Sequence, residues 1–478
     1  MKYFLLKYPL EKLFHGSLPK YYHQLRKVHL IGMICTLCCC TDFVEIDAPK
    51  NTLVSETVFQ DAATVESALA NLYYNLREGG MTSGTYGMTT VMGIYTDELD
   101  YYGFGADYLQ FYQHNVLPIN GIVSDWWSQA FQLIYATNDI VQGVRASTEL
   151  SSMEKNRFEG EALFVRAYLY TLLVNLYGDV PLVQTTNYLD NNNVARSNQD
   201  SINNQIMEDL ERSILLLNSM EPVSTEKIYP DEYTVKALLA RHYLRSGNWE
   251  RAVTISSELI NLFPMESDLN KVFLKDSKET IWQLKADNDF PKNTREAQQL
   301  IIQAVPSQTY ALSNDFMNAF EPGDQRLMNW TRSISDQDST VTLYYPYKYK
   351  AGINALESFE YSVLFRSTEQ VLIRSEAKAR LGELEGALAD VNLVRSRAGL
   401  SNLIAHSQED VLEAILHERR MELFTEQGHR WLDLKRMEKA EEVLGDIKAN
   451  WKNTDLLLPI PENELELNPN LLPQNPGY

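Results

Sequence analysis

Two segments of the sequence share a pattern that is typical of paired helices. In LLARHYLRSGNWERAV a helical pattern ends at Gly247, and Ala252 follows five residues later. In IRSEAKARLGELEGAL the same spacing joins Gly382 to Ala387. Glycine commonly ends a helix because it adopts the left-handed backbone conformation without strain. A small residue in the following helix lets the two helices cross closely, so each segment predicts a helical hairpin.

Hairpins of this kind build tetratricopeptide repeats, which have a period of about 34 residues. The two glycines are 135 residues apart, so the hairpins are not in tandem, and residues 263–360 are inserted between them. We therefore predict a mostly α fold, with a tetratricopeptide-like helical-repeat scaffold, an irregular, loop-rich portion and a few short strands.

Other segments support this fold class. A helix is predicted from Asp61 to the Gly79-Gly80 pair, and a second over Trp126 to Val144. Glu159 to Leu176 predicts a strongly apolar helix in which Arg166 is a paired structural charge. Residues Met81 to Gly121 are rich in Gly, Tyr and Asp and show no helical period.

One strand is expected in the insert. Tyrosines and lysines alternate from Thr342 to Lys350, in TLYYPYKYK, as they do in a half-buried strand. Proline cannot donate a ladder hydrogen bond, so Pro346 favours an edge position.

The C-terminal part of the chain carries an unusual density of charge. Ile415 to Met437 reads ILHERRMELFTEQGHRWLDLKRM, with opposite charges three or four residues apart. Such charges can pair along one helix surface. Because Trp431, Leu432 and Leu434 are interleaved with them, we expect partly buried, paired groups with a structural role.

The same stretch carries a family resemblance. HERRMELFTEQGHRWLDLKR, then LLPIP, then the terminal QNPGY resemble the C-terminal signature of the SusD/RagB family. The run from Arg166 through YGDVPL, which ends at Leu182, is similar to a second family pattern. The resemblance implies a cell-surface lipoprotein that captures nutrients for a SusC-like transporter. It also implies that the irregular portion binds the ligand.

The N-terminus predicts a signal peptide and a lipid anchor. Basic residues precede an apolar run, Val28 to Leu37, that is too short to span a bilayer. Leu37-Cys38-Cys39-Cys40 fits a lipobox, although Cys39 stands where Gly, Ala or Ser is usual. We expect lipidation at Cys40 and anchoring to the outer membrane at the cell surface. The Cys35/Cys38 pair would be removed with the signal peptide.

The predicted organisation has three segments. They are a signal peptide (1–39), a lipidated tether (40–55) and a SusD-like body (56–478). Within the body we expect a helical-repeat scaffold at 56–80, 123–262 and 361–440. Loop-rich ligand-binding portions occupy 81–122 and 263–360, and a C-terminal tail occupies 441–478.

Candidate ligand-binding residues concentrate in DELDYYGFGADYLQFYQHN, residues 97–115. Aromatic rings can stack on the C–H faces of sugars, while sugar hydroxyls need carboxylates and amides as partners. The candidates, which include two aromatic residues of the insert, are Tyr101, Tyr102, Phe104, Tyr108, Asp97, Glu98, Trp330 and Tyr344. The alternative for each ring is an ordinary core or turn position.

No metal or cofactor is predicted. The carboxylates Asp97, Glu98 and Asp100 lack the alternating ligand positions of a calcium loop, so we expect hydrogen-bond acceptors or surface charge there. A net charge of -21 repels phosphate backbones and excludes nucleic acid as an expected partner.

Catalysis is not expected either. His417-Glu418 is followed by Arg-Arg-Met, so the second histidine of a zinc helix is missing. The sequence contains no G-x-S-x-G nucleophile elbow and no phosphate-binding loop.

The sequence thus predicts a lipid-anchored glycan-binding protein that delivers an oligosaccharide to a SusC-like TonB-dependent outer-membrane transporter. Two alternatives stay open. One is a RagB-like peptide receptor, and the other is a scaffold subunit of the transporter complex that binds no ligand.

Overall fold

Eighteen α-helices and eight short strands make up the part of the chain that the structure, a computed structural model, describes. The described residues are 58–218, 220–286, 292–352 and 354–478. Ser55–Tyr478 forms one compact unit. The predicted signal peptide, tether and lipidated Cys40 lie outside the described residues. Among the described helices, none combines the length and the apolar character that crossing a bilayer requires.

The helices follow one another in this order: α1 (Ala62–Glu78), α2 (Met88–Tyr95), α3 (Ala106–Tyr112), α4 (Gly121–Ala146), α5 (Ser152–Tyr177), α6 (Tyr188–Asn191), α7 (Gln199–Leu217), α8 (Glu232–Ser246), α9 (Trp249–Leu262), α10 (Arg295–Leu300), α11 (Asn314–Asn318), α12 (Gln325–Trp330), α13 (Ser367–Arg380), α14 (Leu384–Arg397), α15 (Gln408–Leu423), α16 (His429–Arg436), α17 (Ala440–Leu444) and α18 (Glu462–Leu467). The strands are β1 (Leu99–Tyr101), β2 (Val180–Pro181), β3 (Arg196–Ser197), β4 (Thr280–Leu284), β5 (Tyr310–Leu312), β6 (Thr331–Ser335), β7 (Thr342–Pro346) and β8 (Ser362–Arg366).

Both predicted hairpins are present, as α8–α9 and α13–α14. Gly247 and Gly382 follow the first helix of each hairpin with φ of +76° and +83°, the left-handed conformation that favours glycine. Ala252 and Ala387 are fully buried where the helices cross. Helix α9 packs along α13, so the two hairpins are neighbours in space although the insert separates them in sequence. The predicted mostly α class is confirmed.

Helix α5 lies in the core between α4 and α7. Its N-terminus has a capping box, in which Ser151 and Glu154 satisfy each other's backbone amides. The buried Arg166 donates to both carboxylate oxygens of Asp209 at 2.7 and 2.6 Å and to Asn138 at 2.7 Å. Arg166 is therefore a paired structural charge, as the sequence predicts.

From Glu418 to Arg436 the charged side chains are buried or half-buried and form ion pairs or hydrogen bonds, which confirms the expectation for this stretch. Glu409, Asp410 and Glu413, at the start of α15, are exposed. Arg366 at the end of β8 donates to Glu422 at 2.7 Å, and Arg397 pairs with the same carboxylate. Burial acts to raise the pKa of Glu422, but the guanidiniums of Arg397 and Arg366 outweigh burial and lower that pKa to about 2. Arg419 donates to Asp433 at 2.6 Å and ties α15 to α16.

The strands form four antiparallel two-stranded sheets within the described residues. Strand β7 pairs with β6 and ends at Pro346, short of the predicted Lys350. The Tyr347 amide donates to the Trp330 carbonyl at 2.7 Å, one residue beyond the ladder on each strand. The aperiodic region before Gly121 contains two short helices, α2 and α3. Every residue of α2 is buried, so the polar face that would give a helical period is missing.

Candidate functional site

The loop after β1 is held by the β1–β5 pair. Tyr101 pairs with Tyr310 in the ladder, and the Tyr102 amide donates to the Thr309 carbonyl at 2.9 Å. The chain then turns through Gly103 towards α3. A Cβ at residue 103 would lie 2.5 Å from the Tyr101 hydroxyl, so any larger residue would have to displace the Tyr101 ring.

Four tyrosine rings support this loop from below. Tyr101 stacks on Tyr108 with ring centroids 5.6 Å apart, and Tyr310 lies 5.7 Å from Tyr101. Tyr86 packs against Tyr108 at 5.9 Å. The Tyr108 hydroxyl donates to the Thr85 carbonyl at 2.9 Å, and the Tyr101 hydroxyl accepts from the Gly105 amide at 3.0 Å. Contacts of this type fix the rings, so the loop presents a defined surface.

Two aromatic rings of the loop face solvent. The Phe104 side chain is 97% exposed, and Tyr102 is 40% exposed. When a ligand covers an exposed phenylalanine ring and removes it from water, the free energy of the system falls. These two rings are therefore the accessible part of the predicted aromatic cluster.

A cleft of about 580 Å³ lies beside β1. Its polar lining residues include Asp100, Tyr112, Asn314, Asp315, Lys448 and Asn450. The Tyr112 hydroxyl donates to Asp100 at 3.0 Å. Burial and then the charge of Asp100 raise the pKa of Tyr112 to about 12, with a further contribution from Tyr102. Burial and the charge of Asp100, two residues earlier in the chain, also raise the pKa of Tyr102.

The floor of the cleft carries a fixed cation. The Lys448 ammonium donates to the Ile94 carbonyl at 2.7 Å and lies 4.4 Å from the centre of the Tyr112 ring. Burial lowers the pKa of Lys448 to about 8. The Asn450 amide donates to the Gln113 carbonyl at 2.8 Å, which joins the C-terminal part of the chain to the segment after α3.

Of the two predicted carboxylates, Asp97 lines the cleft although it is nearly fully buried, and Glu98 is buried next to it. Asp97 is 4% exposed and accepts from Arg430 at 2.8 and 2.7 Å, with Arg420 also 2.7 Å away. Glu98 is 2% exposed and accepts from the Thr425 amide at 3.3 Å. Burial, reinforced by the charge of Asp97, raises the pKa of Glu98 to about 8. No group of His, Cys, Asp and Glu within the described ranges has a metal-binding arrangement.

The two candidate residues in the insert differ in their exposure to solvent. Trp330 is fully buried, its indole donates to the Leu269 carbonyl at 2.9 Å, and it offers no surface to a ligand. Tyr344 is 39% exposed on β7, a strand that packs against β5. Tyr344 therefore remains a candidate at the margin of the site.

The sequence candidates did not include the cleft residues of the insert and the tail. Asn314 and Asp315 begin α11, immediately before the FMNAFEP segment, while Lys448 and Asn450 follow α17. Only tertiary contacts bring these segments together, and no local sequence pattern signals them.

Two family models match the chain. Residues 240–478, half of the chain, match the model described as SusD family. Residues 42–244 match a model described as "Starch-binding associating with outer membrane".

Individual proteins agree with these matches. SusD-like protein P2 of Formosa agariphila is 26% identical over 509 residues, covering 95% of this chain and 99% of its own length. A SusD superfamily structure from Bacteroides vulgatus has a TM-score of 0.77 at 22% identity, covering 88% of this chain and 100% of that one. A laminarin-binding SusD-like protein has a TM-score of 0.73 at 21% identity, covering 87% and 99%. These two structures show the shared fold. The SusD family model, which matches half of the chain, establishes that the chain belongs to the SusD family.

Proposed function

We propose that this protein captures a neutral oligosaccharide at the cell surface and delivers it to a SusC-like TonB-dependent transporter of the outer membrane. The observation that carries the proposal is the exposed pair Phe104 and Tyr102 on the loop that follows β1, the strand whose Asp100 lines a cleft with other carboxylates and amides. Capture involves binding alone, without catalysis.

The chemistry of the surface suits a sugar. The apolar faces of Phe104 and Tyr102 can stack on the C–H face of a pyranose ring. Asp100, Asp315 and Asn450 supply acceptors and a donor for its hydroxyls. The tyrosines beneath hold the loop in place before the ligand arrives, which reduces the entropy lost on binding.

The comparisons support the ligand class. One matching family model is described as starch-binding, and one structural neighbour binds laminarin. Both are neutral glucans. A net charge of -21 makes an anionic glycan the less favoured choice.

Delivery and anchoring rest on the family and on the N-terminal sequence. Lipidation of Cys40 would hold the protein at the outer membrane, where the transporter is located. Affinity purification of the lipidated full chain from outer membranes tests this part. Co-purification of a TonB-dependent transporter supports it, and purification of the protein alone contradicts it.

Calorimetric titration tests glycan binding. Soluble protein starting at Asp42 is titrated with laminarin, maltooligosaccharides and a peptide mixture. Binding of one glucan class is expected, and Phe104→Ala or Tyr102→Ala should weaken it about two- to tenfold each. Tyr74→Ala is the matched control, because Tyr74 is 51% exposed on α1 and lies outside the cleft.

The same titration separates the alternatives. Binding of peptides without glycans would replace the proposal with the RagB-like receptor. Binding of neither, with the transporter still co-purifying, would leave the scaffold subunit.

A further inference from the structure

A second groove, larger than the cleft beside β1, lies between α4 and the C-terminal segment. Its volume is about 950 Å³. Most of the lining residues come from α4, from residues 464–471 and from residues 191–193 at the end of α6. The two sites share no lining residue. The groove is therefore distinct from the cleft.

Three aromatic residues form a strip along the α4 wall. Trp127, Phe131 and Tyr135 are spaced four residues apart, so they lie on one face of the helix. The Trp127 and Phe131 ring centroids are 4.9 Å apart. Exposure increases along the strip, from 3% at Trp127 to 45% at Tyr135. The Tyr135 hydroxyl donates to the Thr186 carbonyl at 3.1 Å, which fixes the orientation of the exposed ring.

Amide side chains surround the strip. Asn191 and Asn468 are fixed by hydrogen bonds of their own, to the Thr185 carbonyl at 2.8 Å and the Val194 carbonyl at 2.9 Å. Three more side-chain amides lie at the groove margin, those of Gln132, Asn192 and Asn193. None of the three makes a hydrogen bond to any part of the chain that the structure describes. Each such amide offers a donor and an acceptor to a ligand.

The groove carries little charge in a strongly acidic protein. Glu464 is the single charged residue among the described lining residues. Burial raises the pKa of Glu464, and a hydrogen bond from Trp127 opposes this effect. A ligand for this groove should therefore be neutral, with apolar faces for the rings and many hydroxyls for the amides.

We propose that the groove between α4 and the C-terminal segment is a second binding site for a neutral oligosaccharide. A concave volume of this size suits a small ligand, for which sites of about 300–1,000 Å³ are usual. A protein partner would instead need a broad surface of about 800 Å² on each side. The choice of ligand class rests on the proposed function, whereas the location of the site rests on the groove itself.

Two sites on one molecule would change the affinity of the protein for long glycans. A chain long enough to occupy both would bind the second site at a high effective concentration. Affinity should therefore increase with glycan length beyond the point at which one site is filled.

The test uses a variant, called the cleft variant, that lacks the two exposed rings of the proposed site. Tyr102→Ala/Phe104→Ala protein starting at Asp42 is titrated with laminarihexaose and maltohexaose, two neutral glucans of different linkage. We expect residual binding of one of them. Adding Tyr135→Ala should weaken the residual binding about two- to tenfold, while Tyr135→Phe, which keeps the ring, should preserve it. Tyr74→Ala, a tyrosine of similar exposure outside both sites, should have no effect.

Each outcome supports or contradicts a second binding site. Hydrogen-exchange protection of residues 127–135 and 464–471 on saturation would support the groove as the residual site. If Tyr135→Ala lowers the melting temperature, Gln132→Ala takes its place, because the Gln132 side chain makes no hydrogen bond to any described residue. Wild-type binding that the cleft variant abolishes completely would overturn the second site and leave the proposed function intact. Absence of binding to any glycan by the wild type would overturn both.

Discussion

Arg430 donates two hydrogen bonds, of 2.8 and 2.7 Å, to the carboxylate of Asp97. The two residues are 333 positions apart and both are buried, so the pair joins the start of the ligand-loop region to α16. A carboxylate engaged in this way has little capacity left for a ligand. Asp97 lines the cleft, but its arginine partners occupy the carboxylate, so we expect its role to be mainly structural.

Removal of Asp97 should mainly reduce stability. Asp97→Ala leaves a buried guanidinium without its strongest partner, so we expect the free energy of unfolding in urea to fall by about 3–5 kcal/mol. The control is Asp315→Ala, because Asp315 is 67% exposed and its pair with Arg420 should contribute at most about 1 kcal/mol. Unchanged stability together with lost glycan affinity would show instead that Asp97 contacts the ligand.

Trp330 provides a second test of whether a predicted ligand-binding residue belongs to the core or to the binding site. The ring is fully buried, packs 5.6 Å from Phe273 and has the Lys348 ammonium 4.9 Å above its centre. Trp330→Ala should lower the free energy of unfolding by about 3–5 kcal/mol. Phe104→Ala, at 97% exposure, should leave it unchanged. Folded Trp330→Ala protein should keep its glycan affinity, and selective loss of affinity would contradict the core assignment.

The buried Glu98 should make stability depend on pH. Because the folded state raises its pKa from 4.5 to about 8, the folded protein binds an extra proton between these values. Stability should therefore be greatest below about pH 4.5 as far as Glu98 is concerned, and fall by about 4 kcal/mol as the pH rises to 8. Glu98→Gln cannot ionise, so its melting temperature should fall less between pH 5 and pH 8.

A surface variant controls for the effects of general charge repulsion. Glu442→Gln changes a side chain that is 65% exposed, and its melting profile should follow the wild type. A Glu98→Gln profile with the same slope as the wild type would show that Glu98 ionises normally in the folded protein.

The parts of the fold that the sequence predicted are those determined by local patterns. The hairpins followed from Gly247 and Gly382, whose positive φ a helix end requires. The paired charges of α15 and α16 followed from their mixture with apolar residues. The helix α2 was not predicted, because burial on every side leaves no periodic pattern.

The candidate site could be predicted only in part, for a different reason. Exposed Tyr102 and Phe104 lie in a segment whose composition marks it. Lys448 and Asn450 reach the cleft through hydrogen bonds to Ile94 and Gln113, more than 300 residues away in sequence. No local pattern encodes contacts of that range. For the same reason composition alone could not separate Trp330, which is in the core, from the exposed rings.

Tyr101 and Tyr102 are adjacent in sequence and should respond differently to mutation. Tyr101 stacks on Tyr108 at 5.6 Å and accepts a hydrogen bond from Gly105 at 3.0 Å, whereas Tyr102 is 40% exposed. Tyr102→Ala should weaken glycan binding and leave the melting temperature unchanged. Tyr101→Ala should lower both, because the loop loses its support. Tyr101→Phe keeps the ring and removes one hydrogen bond, so it should cost about 1 kcal/mol of stability. Thermal melting and glycan titration of the three variants check this. Lost affinity at an unchanged melting temperature in Tyr101→Ala would show that Tyr101 contacts the sugar directly.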